Sequence, residues 1–203
     1  MDLKKLIERQ DLDLLLSRLS RLEDQVPTAI TESERPDFIV AFGSATVGIE
    51  TTRTVHQECV RALKMQASVH PNQWVNLTHL VDGRPRRKNS ELARSMSSTA
   101  ILQPAKPVEE ARRDWGRKVS VALTSKRQKL GQSGYQLFGE NWLLIHDFPP
   151  LPVYSFDSAE CRALCQHLNQ ILLQRSLGRD FDKIFIHSGD WLFRWSRGIL
   201  ELN

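Results

Sequence analysis

Two carboxylates interrupt an otherwise apolar stretch, RPDFIVAFGSATVGIETT, at residues 35–52. The alternation predicts two short strands joined by a small turn. Asp37 stands near the start of the first strand, and Glu50 lies inside the second, where a β-branched apolar residue is the ordinary choice. Side chains alternate faces along a strand, so the turn decides where the two acids lie. A two-residue turn at Ser44-Ala45 pairs Ile39 with Glu50 and makes Asp37 a diagonal neighbour of Glu50, roughly 7–8 Å away. A four-residue loop opposes Asp37 directly to Glu50, and a three-residue loop sends them to opposite faces. Thr52 shares the face of Glu50 in every register, while Phe38, Val40, Val47 and Ile49 make a core face. Neighbouring carboxylates repel, and coexist only with a shared proton or a cation. Hard cations such as Mg²⁺ are held by one or two carboxylates together with phosphate oxygens and water. Metal-assisted phosphate chemistry is the natural use of such a pair. The plainer alternative is a turn-terminating Asp37 and a water-facing Glu50.

A third charged residue stands out on a helix that starts after Pro107 and stops at Gly131. Val119, Ala122, Leu123, Lys126 and Leu130 follow the spacing of one face, so Lys126 sits in an apolar stripe. Lys129 lies at its edge; Lys118 and Arg127 point elsewhere. A lysine there either snorkels to solvent or meets an acid.

These residues need elements to position them. A leucine stripe predicts a helix over residues 2–23, followed by a polar connection over 24–35 and then the hairpin. Short helices are expected at about 55–66 and 91–97, and WVNLTHLV at 74–81 alternates like a strand. GENWLLIHDF reads as a buried strand, Asp157 and Ser158 as caps of a helix reaching about Leu177, and KIFIHS and WLFRWS as strands around Gly189-Asp190. The order predicts an α/β (α+β) protein with a mixed β-sheet flanked by helices. At 203 residues the chain suits a single domain, with a possible insert at 67–106.

Composition excludes several classes. No apolar run is long enough to span a membrane. Cys59, Cys161 and Cys165 give neither a disulfide framework nor a zinc spacing, so a cytoplasmic setting is expected. No H-E-x-x-H, G-x-S-x-G or Walker-type loop occurs. The net charge of +4 is modest, but Arg84, Arg86, Arg87 and Lys88 form one basic group and Arg117, Lys118 and Arg127 belong to another, on the helix. Such groups can track a phosphate backbone or merely solvate a surface.

The residues Pro36-Asp37, then twelve residues, then Glu50-Thr51-Thr52, resemble the PD-(D/E)xK phosphodiesterase superfamily, with its restriction-endonuclease-like core of helix, three strands, helix and strand. The phrasing ERPDF…VGIETT looks like a bacterial and phage branch of it, and the basic helix followed by NWLLIHD fits the same order. The resemblance implies a metal-dependent nuclease using Mg or Mn, with Asp37 and Glu50 as ligands and the Thr51 carbonyl as a third. It implies an additional acid on or near the first helix (Glu8, Glu23 or Glu34), and a role for Gln57 at the metal water or a phosphate. It also implies nucleic acid as substrate, DNA ahead of RNA. One departure matters. The family lysine belongs at position 52, where this chain has Thr52. Some members of the fold bring the lysine from a helix, which makes Lys126, then Lys129, the candidate assistant at the phosphate. The alternative is a catalytically inactive version that binds nucleic acid or a protein partner. A dimer is compatible with either.

Overall fold

The structure, a computed structural model, describes residues 3–23, 26–54, 61–62, 64–65, 88–97, 108–147, 158–173 and 179–202. The chain divides into two compact units, Met1–Thr54 with Ala111–Asn203, and Val55–Glu110. The expected insert at 67–106 falls within the second unit.

The first unit is built on one mixed sheet. Its helix α1 (Leu3–Glu23) precedes strands β1 (Ala29–Glu32), β2 (Phe38–Phe42) and β3 (Ala45–Arg53). After the second unit come α3 (Val108–Leu130), β4 (Glu140–His146), α4 (Ser158–Leu173), β5 (Lys183–Ser188), β6 (Trp191–Ser196) and β7 (Ile199–Leu202). The strands lie in sequence order, β1 to β7. β3, β4 and β5 run parallel, and every other neighbouring pair is antiparallel. Parallel neighbours need crossover connections of uniform hand. Accordingly α3 and α4 pack on one face of the sheet and α1 on the other.

Alternation along the strands divides the core. Leu12, Leu15, Leu16 and Leu19 of α1 cover Phe38, Val40, Val47, Ile49, Trp142, Leu144, Phe185 and Leu192. Trp115, Val119 and Leu123 of α3 and Leu164 and Leu168 of α4 cover Leu143, Ile145, Ile184, Ile186, Phe193 and Trp195. Phe193 and Trp195 are thus core residues. Even-numbered positions of β3 face α3; odd-numbered ones face α1.

The structure settles or adds to the sequence reading in several places. The hairpin turns at Gly43-Ser44 rather than Ser44-Ala45, with Phe42 opposite Ala45 and Phe38 opposite Ile49. Gly43 has φ +58°, which suits the first position of a two-residue hairpin turn. Ile39 therefore faces Gly48, and Asp37 precedes the ladder at the level of Glu50, the direct opposition that was one of the three registers left open by the sequence. The connection 24–35 holds β1, an exposed edge strand without apolar alternation to reveal it. A last strand, β7, extends the sheet beyond β6. The end of the Ser158 helix beyond Leu173 lies outside the described residues, as do the helix at 55–66 in large part and the strand at 74–81.

In the second unit α2 (Asn89–Ser97) matches the helix expected near 91–97. Its start is closed by Glu91, whose carboxylate accepts the Lys88 amide at 3.0 Å. Leu92 and Ala62 are buried, and the Arg61 guanidinium donates to Asn89.

At the junction where the second unit leaves and rejoins the sheet, the carboxylate of Asp147 is 1% exposed. It accepts from Thr54 Oγ1 at 2.5 Å, Trp115 Nε1 at 2.7 Å and Ser188 Oγ at 2.8 Å.

Candidate functional site

Glu50 sits in β3 opposite Leu143 of the central strand β4, facing α3, and is 0% exposed. An unpaired carboxylate at such a position would be costly to bury. Two ammonium groups meet it. Lys126 Nζ and Lys129 Nζ each lie 2.5 Å from Glu50 Oε1. The two lysines are three residues apart near the C-terminal end of α3, so they share a face, and the helix dipole favours cations there. The same ammoniums reach Asp37: Lys126 lies 3.9 Å from Oδ2 and Lys129 3.7 Å from Oδ1. Asp37 is held from β3, whose Thr51 donates its amide at 2.8 Å and its hydroxyl at 3.2 Å to Oδ2. Asp37 and Glu50 therefore line one site with both lysines.

The four charges sum to zero. The lysines are largely desolvated, with side chains 18% and 25% exposed. Tyr135, on the loop after α3, completes the enclosure: its hydroxyl donates to Glu50 Oε2 at 3.4 Å. Burial, then the charges of Glu50 and Asp37, raise the Tyr135 pKa above that of an ordinary phenol, so the hydroxyl remains a donor.

A divalent metal is implied by the resemblance alone. Asp37 and Glu50 share the same two ammonium groups. Among the described residues no group of three or more His, Cys, Asp or Glu side chains is arranged to hold a metal. An ion here would rest on Asp37 and Glu50, with water, phosphate oxygens and the Thr51 carbonyl completing its shell.

The other expected residues scatter. Glu8 is half-buried on α1, and Glu34 is exposed and paired with Lys5 at 3.0 Å. Neither belongs to a metal-holding group among the described residues. Glu23 ends α1, and its side chain lies outside the described residues, as do Gln57, Arg84, Arg86 and Arg87. Thr52 is half-buried beside Ile145. Lys88 is exposed ahead of α2. Arg117 is exposed and pairs with Asp114, and Lys118 is half-buried. Arg127, expected at a phosphate-facing surface, is instead 6% exposed. Its guanidinium grips Asp180 through two bonds of 2.8 and 2.6 Å and donates to the Leu172 carbonyl. The basic helix thus spends three of its cations internally.

Sequence reasoning missed Tyr135 and a second polar cluster on the α1 face. Asp11, 5% exposed, accepts two bonds from Arg53, at 2.8 and 2.6 Å, and lies 3.1 Å from His146 Nδ1. The rings of His146 and His187 meet at a tilt of 58°, with centroids 4.9 Å apart and Nδ1 atoms 3.4 Å apart. Asp11 stands among the apolar positions of α1, one residue before Leu12 and four before Leu15. That inward placement was its only signal. Tyr135 follows a helix end and has no periodic pattern to mark it.

No protein-family model matches the chain, and no curated protein or solved structure matches it significantly.

Proposed function

We propose that this protein is a metal-dependent phosphodiesterase acting on nucleic acid, with Asp37 and Glu50 as the metal-holding pair. The observation that carries the reading is the convergence of Lys126 and Lys129 on Glu50 and Asp37. The sequence lacks a lysine at position 52, and the helix brings two to the same acids. With α2 set aside as part of the second unit, the order helix, three strands, helix, strand supports the core implied by the PD-(D/E)xK resemblance.

A bound Mg²⁺ or Mn²⁺ would activate water and offset charge at phosphorus. The chain's own groups do the rest. Thr51 fixes Asp37 through its amide and hydroxyl. Lys126, aligned with the core stripe of α3, donates to a non-bridging phosphate oxygen and stabilises the charge that grows there. Lys129 places a second positive charge against Glu50. The low exposure of the site strengthens each of these interactions.

One observation favours a second reading. The quartet is neutral without a metal, and both ammoniums already have partners, so a binding protein on the same scaffold would be internally consistent. Cleavage of plasmid and single-stranded DNA and of RNA, in Mg²⁺ and in Mn²⁺, separates the two. Metal-dependent cutting by wild type, abolished in Glu50→Gln and reduced at least a hundredfold in Lys126→Ala, supports the nuclease. Folded wild type that neither cuts nor binds Mn²⁺ supports the binding protein.

A further inference from the structure

We infer that the cavity at the end of the sheet where β4 and β5 begin and β6 ends is a binding site for a phosphate monoester of about nucleotide size. The inference does not draw on the phosphodiesterase reading. Glu140, in the cavity lining, stands three residues before Leu143, the partner of Glu50, so it lies roughly 10 Å along β4 from the level of the acid pair. The cavity has a volume of about 590 Å³, within the range of small-molecule sites. Three acids and three cations line it, and the two signs are differently committed. Asp180 accepts two bonds from the Arg127 guanidinium, at 2.8 and 2.6 Å, and one from the Phe181 amide at 2.8 Å. Glu140 meets Lys183 at 3.1 Å and accepts from the Trp142 indole at 2.7 Å. Those pairings leave Arg194 and Arg197 against one further lining acid, Asp182, whose Oδ2 already accepts the Asn141 amide at 2.7 Å. Glu201 stands 3.7 Å from Arg194 but is 55% exposed, and a guanidinium has five N–H donors to share. The excess of donors is sharpest at Trp195. It lines the cavity, is 9% exposed, and its indole N–H has no acceptor among the described residues. A buried indole N–H ordinarily finds an acceptor, and a ligand oxygen would supply one. Arg197, with φ +51°, takes the first position of the tight β6–β7 turn, ahead of Gly198 at φ +85°. Asn and Gly are the usual residues in such a turn, so the turn itself gives no reason for an arginine. Guanidinium groups match phosphate oxygens two bonds at a time. A phosphate alone fills little of the cavity, and the Phe181 and Trp195 rings offer the rest of the ligand an apolar wall.

The test follows the indole N–H signals of the five tryptophans in ¹H–¹⁵N spectra of the full chain during titration with 5′-AMP, with thermal melting alongside. The Trp195 signal is the one missing from Trp195→Phe. In wild type it should move downfield and saturate. Arg194→Gln and Arg197→Asn should each weaken binding about tenfold. Arg197→Asn suits the turn, so it should melt no lower than wild type. Inorganic phosphate should compete with 5′-AMP, and adenosine should not. A 5′-phosphorylated oligonucleotide that also competes identifies a nucleic-acid end as the source of the phosphate; one that does not identifies a free nucleotide. A Trp195 signal unmoved by millimolar 5′-AMP overturns the inference, as does an affinity unchanged in both arginine variants. Competition by adenosine equal to that of 5′-AMP overturns it too. Should Trp195→Phe fail to fold, calorimetry of wild type and the two arginine variants with 5′-AMP decides alone.

Discussion

Lys126 Nζ lies 2.5 Å from Glu50 Oε1 across 76 positions of sequence, joining the last turns of a helix to a central strand. Removing either lysine leaves the quartet one negative charge in excess, with Glu50 fully buried. Breaking a buried pair typically costs about 3–5 kcal/mol. The remaining ammonium on the same oxygen should limit the loss for Lys126→Met or Lys129→Met to roughly 1–3 kcal/mol. Urea melts check this.

The same substitutions should act oppositely on the ion. A positive charge within 4 Å of both carboxylates repels an entering cation. Lys129→Met should therefore bind Mn²⁺ several-fold more tightly than wild type, although it is less stable without metal. Calorimetry and melting of one sample, with and without Mn²⁺, would show the two effects crossing.

Acid should weaken the fold through His187. Burial, then the positive charges of His146 and Arg18, push its pKa down to about 4, with Asp11 and Asp190 acting the other way. The unfolded chain takes up that proton near the ordinary value, so the folded state loses stability as pH falls from about 6.5 towards 4. The loss is on the order of 2–3 kcal/mol, complete near pH 4. Asp11 does not contribute in that window. Burial raises its pKa, but the bonds from His146 and Arg53 outweigh this, so its own contribution is lost only below the normal carboxyl range. Denaturant melts between pH 7.5 and 4 should slope in wild type and flatten in His187→Phe.

Asp147→Ala should be among the most damaging single changes. It strands the Thr54 and Ser188 hydroxyls and the Trp115 indole N–H inside the protein. Each unpaired buried donor costs about 1–3 kcal/mol, so a loss above about 3 kcal/mol is expected. Asp147→Asn, which keeps an acceptor, should lose less in the same melts.

Gly48→Ala should disturb the site without touching a charge. A Cβ there would lie 2.7 Å from Phe138 and 2.9 Å from Pro36, the residue before Asp37. Overpacking of this kind costs roughly 1–3 kcal/mol. Melting reports that cost, and weaker Mn²⁺ binding would show that Asp37 had moved.

Much of this was legible in residue patterns. The leucine stripe of α1, the apolar runs of β4 and β5 and the Pro-to-Gly bounds of α3 carry strong periodic signals, and the structure follows them. The inward placement of Lys126 came from the same periodicity. Lys129 and Arg127 were harder, because a long side chain at the edge of a stripe can reach in or out, and only the position of an acid decides. Asp180 and Glu50 decided those two. The edge strands β1 and β7 are short, and β1 bears an exposed pattern that resembles a loop. The hairpin register turned on one residue of turn placement, which alternation cannot fix when Gly43, Ser44 and Ala45 are all small.

The Asp147 carboxylate ties Thr54, the last residue before the second unit, to Trp115, just after the chain returns. The excursion of residues 55–110 is therefore bracketed by two residues of the first unit that share one buried carboxylate. Closing a longer or shorter excursion costs little, because loop entropy grows only slowly with length. Shortening that excursion should therefore leave the Glu50–Lys126 and Glu50–Lys129 pairs in place.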